Sequence, residues 1–84
     1  MNYQVEWLPD AEMELEDLWA NTTRPEELIA ACDAIEYRLS FDPVHEGESR
    51  PNNTRITFEA PLAVVYRVDV SKKMVYVGQV WEYQ

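Results

Sequence analysis

The chain opens with Tyr3, Val5 and Trp7 alternating with Asn2, Gln4 and Glu6. A period of two predicts a strand with one buried face. The period then lengthens. Ala11, Leu15, Leu18 and Trp19 fall at i, i+4, i+7 and i+8 and form one apolar stripe of a helix. Pro9 suits the first helical position, where its missing N–H costs nothing. Asp10, Glu12 and Glu14 follow, where carboxylates complement the helix dipole. The helix is expected to stop near Asn21. Thr23-Arg24-Pro25-Glu26 has the spacing of a capping box. Leu28, Cys32, Ile35 and Leu39 then share a face, with Ile29 and Ala31 beside it. Asp42-Pro43 ends this second helix, because a residue before proline avoids the helical region. The connection of about four residues predicts an antiparallel helix hairpin. By this periodicity Trp7, Trp19 and the thiol of Cys32 belong to the core.

Residues 42–54 carry Pro43, Gly47 and Pro51 and are expected to form a loop. Ile56 and Phe58 then point one way, and Arg55, Thr57 and Glu59 the other. Ala60-Pro61 breaks into a strand in which Leu62, Val64, Tyr66 and Val68 alternate with Ala63, Val65, Arg67 and Asp69. Ser71-Lys72-Lys73 makes a hairpin turn. Val75 and Val77 are in step on the last strand but Val80 is out by one, so a bulge at Gly78-Gln79 is expected. The order β-α-α-β-β-β predicts an α+β fold: a helix hairpin on one face of an antiparallel sheet of about four strands.

Composition narrows the class. The 84 residues allow one domain, 1–84. Hydrophobic residues make up 46%, enough for a core, which argues against disorder. No apolar run is long enough to cross a membrane and no basic-then-apolar leader opens the chain, so a cytoplasmic protein is expected. A lone cysteine fits a reducing compartment. Asn21-Thr22-Thr23 and Asn52-Asn53-Thr54 are then chance glycosylation matches. The net charge is −9 and uneven. Residues 1–48 hold 13 acidic and 2 basic side chains, while residues 49–84 hold 3 and 5. Acidic helices repel phosphates, so any nucleic-acid contact would use the sheet half, and strong direct binding is not expected.

Several strings together resemble the RelE/ParE toxin superfamily of bacterial type II toxin–antitoxin systems. Tyr3-x-Val5-x-Trp7-x-Pro9-x-Ala11, with Leu15, Leu18 and Trp19, looks like that family's first strand and helix. Ile29, Ala31, Ile35, Leu39 and Asp42-Pro43 look like its second helix and exit. Gly47-x-Ser49-Arg50, Pro61-Leu-Ala-Val-Val-Tyr66-Arg-Val68-Asp69 and Val75-x-Val77-x-x-Val80 look like its loop and meander. The resemblance covers the whole chain and rests on order and spacing rather than on any one string. It implies a toxin fold that binds a cognate antitoxin, and a role in plasmid stabilisation. One branch cleaves mRNA on the ribosome with basic residues around the sheet; the other lacks them and acts on DNA gyrase.

Metal-free RNA cleavage needs a base, a cation for the developing phosphate charge and an acid. The resemblance places Arg55 at one basic position of the outward sheet face. The other basic positions fall at Thr57, at Ala63 and near Trp81, Glu82 or Tyr83. The residual catalytic candidates are Arg50, Arg55 and Tyr83. This depletion favours a toxin-like protein that acts by binding protein. A degenerate ribosome-dependent nuclease and a non-toxic interaction module are the alternatives. Arg50, Arg55 and Arg67 form the basic cluster available to a partner, although Arg67 is also placed for a cross-strand ion pair. Trp81 and Tyr83, with no helix after them before Gln84, are candidate aromatic contacts. The last strand could pair with an antitoxin strand or with a second copy of the chain. His45 is a lone loop histidine. No spacing suggests a metal or a cofactor.

Overall fold

A computed structural model describes residues 2–83; Met1 and Gln84, the expected domain limits, lie outside them. The order is β1 (Gln4–Trp7), α1 (Pro9–Asn21), α2 (Pro25–Phe41), β2 (Glu48–Arg50), β3 (Thr54–Glu59), β4 (Leu62–Asp69) and β5 (Met74–Glu82). The strands form one sheet in the order β1-β5-β4-β3-β2. β1 runs parallel to β5, and the other neighbours are antiparallel. The fold is α+β, with five strands instead of about four. The extra strand, β2, lies inside the expected loop. Its three residues pair with β3, Glu48 opposite Ile56 and Arg50 opposite Thr54. Three exposed polar residues carry no apolar alternation, so nothing in their pattern marks a strand.

The helices begin at Pro9 and Pro25, as proline at the first position allows. The expected capping box does not form. The second helix starts from Arg24, and no side chain caps it. Thr22 instead accepts a hydrogen bond from the Arg24 N–H through its Oγ1 at 3.0 Å. The helix thus begins one residue later than Thr23 as its cap would require.

The core gathers Ala11 of α1, Leu28, Ala31, Ile35 and Leu39 of α2, and Leu62, Val64, Tyr66, Val75, Val77 and Val80 of the sheet. Val80 reaches this face because the β4–β5 register shifts where Val65 opposes Gln79 and Tyr66 opposes Val77. Gly78 is the extra residue, the bulge that the broken alternation of β5 predicts.

On β3 the alternation is as expected, with its polar set on the helix side instead of the outward face that the resemblance implies for Arg55. Thr57 lies opposite core-facing Val64 and is only 4% exposed, while Phe58 lies opposite Ala63 and is 44% exposed. The polar residues of β3 therefore face the helices. Arg38 in the last turn of α2 explains why. Its guanidinium donates to the Glu59 carboxylate, to the Phe58 carbonyl at 2.9 Å and to Thr57 Oγ1 at 3.4 Å. Its Nε lies 2.9 Å from Glu46 Oε2, close enough for ion pairing without being aligned as a hydrogen bond. One arginine thus satisfies the polar face of β3.

β5 is not an outer strand. β1 covers it from Met74 to Val77. Where β1 ends, the Leu8 N–H donates to the Val77 carbonyl at 2.9 Å. Beyond that point α1 packs over β5, and Glu14 Oε1 accepts the Val80 N–H at 2.9 Å. The open edge expected of the last strand is therefore largely closed by the chain itself, which removes the ground for dimerisation through it.

Candidate functional site

The expected site residues fall into two places, and a third place holds none of them. The first is the loop between α2 and β3. Tyr66, buried in β4, donates its hydroxyl to the carbonyls of Pro43, at 3.0 Å, and Glu46. Burial pushes its phenol pKa up, against the opposing pull of Arg55. Arg55, opposite Tyr66 on β3, donates to the carbonyls of Glu46 (2.9 Å) and Gly47 (3.0 Å) and to Ser49 Oγ (3.0 Å). Gly47 sits at φ +71°, and a Cβ there would run into the Ile56 carbonyl, so only glycine lets the loop close this tightly. Arg55 thus faces the helix side and holds the loop; the outward face suggested by the resemblance is not where its guanidinium lies. Arg50 sits nearby on β2, ion-paired with Glu48 at 3.1 Å and bonded to the Ser49 carbonyl. The two arginines share a hollow walled by Val44, Val68 and Val70.

The second place is the outer face of the sheet. Phe58, Trp81 and Tyr83 lie there at 44%, 38% and 41% exposure. Phe58 and Tyr83 meet edge to face, ring centroids 5.2 Å apart. Trp81 lies opposite Ala63, which is fully buried. Apolar Ile56 and Val65 continue the same face. Arg67 is opposite Tyr76 and makes no hydrogen bond or ion pair among the described residues. The expected cross-strand ion pair is absent because Tyr76, not a carboxylate, stands across from it. The structure therefore separates the three catalytic candidates: Arg50 and Arg55 gather at the loop, while Tyr83 lies on the other face beside Phe58, three residues or about 10 Å along β3 from Arg55.

The third place was missed by periodicity. Trp19 is 44% exposed and lies outside the core. With Leu15 it faces Leu28, Ile29 and Cys32 across a hollow between the helices. The signal was available in part, since Trp19 ends its stripe one residue past Leu18. Trp7 is half-buried and donates its indole N–H to Glu36 at 2.6 Å. Burial, then the Glu36 and Asp33 carboxylates, push the Cys32 thiol up to about 11, the opposite of an activated nucleophile.

His45 points Nδ1 at both carboxylate oxygens of Asp42, at 3.1 and 3.2 Å, on an exposed helix exit. Among the described residues no group of three His, Cys, Asp or Glu is placed to hold a metal ion, and no helix is long and apolar enough to cross a membrane.

No family model matches the sequence, and no curated protein is significantly similar to it. Solved structures do match. The toxin–antitoxin complex RelBE2 from Mycobacterium tuberculosis shares 22% identity, with 98% of this chain and 99% of that one covered and a TM-score of 0.78. A mutant of the E. coli toxin RelE in the free state gives 19% identity, 100% and 86% coverage, and a TM-score of 0.71. The chromosomal ParDE toxin–antitoxin system of P. aeruginosa gives 17%, 98% and 97%, and 0.64. Both branches are matched along nearly the whole chain, so this protein has the RelE/ParE toxin fold.

Proposed function

We propose that this protein is a toxin-like component of a toxin–antitoxin pair, held by an antitoxin protein and acting, when released, by binding a protein target such as DNA gyrase rather than by cleaving mRNA. The observation that carries this reading is how its arginines are employed. Arg38 is committed to Glu46 and Glu59, Arg24 to Glu27 and Glu82, Arg50 to Glu48, and Arg55 to the loop backbone. A phosphoryl transition state needs cations aimed at the developing charge, and they are the part least easily replaced. On the outer sheet face Arg67 remains, some distance from the Phe58–Tyr83 pair. The surface there is aromatic and apolar, which suits a protein partner. Structural neighbours of the RelE and ParE kinds were solved as toxin–antitoxin complexes, which supports an antitoxin partner.

The test is induced expression in a bacterial host with mRNA ends mapped in the same culture. Growth arrest with intact mRNA, relieved by the cognate partner, is the expected result. Codon-positioned cuts on ribosomes would overturn the reading in favour of a nuclease. Normal growth of cells holding soluble, folded protein would overturn it in favour of a non-toxic binding module.

A further inference from the structure

The hollow beside β2 and β3 has a volume of about 270 Å³. Its walls are of two kinds. Val44, Val68 and Val70 form an aliphatic side, on which Val44 and Val70 are exposed. Ser49, Arg50 and Arg55 form a polar side. Local backbone geometry shapes the polar side. Asn52 and Asn53 take left-handed conformations, at φ 66° and 61°, which asparagine tolerates, and β2 folds back along β3. Ser49 then stands opposite Arg55.

Charge decides what fits. Of the five N–H groups of Arg55 the loop takes three, with two carbonyls and one hydroxyl as neutral acceptors. Among the described residues no carboxylate lies within ion-pairing distance of this guanidinium. The neighbouring acids are engaged elsewhere. Glu46 pairs with Arg38, and Asp69, beside Val70, accepts from Ser71 and Lys72. Arg50 has Glu48, but both side chains are exposed, and a surface pair of that kind exchanges readily. The net charge of the chain does not oppose an anion here, because residues 49–84 hold 3 acidic and 5 basic side chains and more distant charges are screened beyond about 10 Å at 0.1 M salt.

A guanidinium without a counter-charge, facing an aliphatic wall, selects a monoanion with an apolar body. Inorganic phosphate would leave the valines wet, and a neutral apolar molecule would leave the guanidinium unpaired. At about 30 Å³ per water the hollow equals about nine waters, room for a branched acid of about five or six carbons. We propose that this hollow binds a small aliphatic carboxylic acid, its carboxylate on Arg55, Arg50 and the Ser49 hydroxyl and its branched chain against Val44, Val68 and Val70. Ser49 Oγ accepts from Arg55 and keeps its own proton to donate. The bound acid bridges the loop after α2 to the end of β4 and so fixes that loop. The hollow lies on the helix side of the sheet, away from the outer aromatic face, and its occupancy is independent of toxin activity.

The test titrates the full chain with isovalerate and follows backbone amide shifts by NMR. Isovaleramide supplies the same shape without the charge, and inorganic phosphate the charge without the apolar body. The expected result is a saturable shift centred on residues 44–50 and 68–70, with slower amide exchange in residues 43–49. Isovaleramide should bind at least about tenfold more weakly, having lost the charge-assisted bonds. Phosphate should be weaker by about the same factor, having lost the apolar burial. Val70→Asp sets a carboxylate at the mouth and should weaken isovalerate about tenfold or more. Arg50→Gln should weaken it about threefold. Met13→Asp adds the same charge on an exposed position of α1 and should change nothing, with circular dichroism showing all three variants folded. Absence of a saturable shift, a shift centred on Arg67 of the outer face, equal binding of either control, or indifference to Val70→Asp would overturn the proposal. Tighter binding of a tripeptide ending in valine would overturn it in favour of the chain terminus of a partner protein.

Discussion

Tyr66 shows what a single side chain does in this molecule. Its hydroxyl is the buried peg on which the loop after α2 hangs, with Arg55 beside it as a second anchor. Tyr66→Phe removes the hydroxyl and leaves two carbonyls without that donor, at an expected cost of about 1–2 kcal/mol in urea unfolding, with amide exchange speeding up in residues 43–49. No change in that exchange would mean that the loop is held by Arg55 alone. Cys32 makes a different prediction. A thiol held near 11, against an ordinary 9.0, carries far less thiolate at pH 8. Alkylation by iodoacetamide should run at least about tenfold slower in the native protein than in urea. The folded state also holds this proton more tightly than the unfolded chain does. Its contribution to stability is therefore complete below pH 9 and is lost as pH rises towards about 11. Cys32→Ala should flatten that part of the alkaline stability profile.

At the scale of elements, α1 has two roles: it buries Ala11 and it closes the sheet. β1 is four residues long and β5 nine, so β5 outruns its neighbour. Glu14 stands in for the missing strand by accepting the Val80 N–H. A charged acceptor on a backbone donor contributes more than a neutral one, so Glu14→Ala should cost about 1.5–3 kcal/mol. Glu16→Ala, on the exposed side of the same helix, should stay within about 0.5 kcal/mol. Equal losses in denaturant titrations would show that the Glu14 contact contributes nothing specific. The elements themselves were largely legible in the sequence. Pro9, Pro25 and Asp42-Pro43 mark helix limits by local sterics, and the phase slip at Val80 reveals the Gly78 bulge. β2 was not legible, because three polar residues on an edge form a strand only when β3 offers them hydrogen bonds. The facing of β3 was not legible either. Ile56 and Phe58 share one face, yet Ile56 is buried and Phe58 is exposed, and Arg38, 19 residues before Thr57 in the chain, draws the polar face inward.

For the whole molecule, the uneven charge and the closed β5 edge predict a monomer. With a net charge of −9 and β5 covered by β1 and α1, light scattering at low salt should give a single 9.9 kDa species. A dimer would show that another surface, the outer aromatic face or the helix groove, pairs with itself. The sequence by itself determined the α+β class, the helix and strand order and the acidic helical half, because periodicity, proline and charge act within a few residues of chain. Only the tertiary structure decided which cations remain available. Arg38, Arg50 and Arg55 are three equivalent charges in the sequence; packing turns one under α2, ties one to Glu48 and commits one to the loop. It also moved Trp19 from an expected core position to the wall of a groove, because the hollow opens between two helices whose facing depends on both. Pairing and burial are properties of residues far apart in the chain, and no local pattern encodes them.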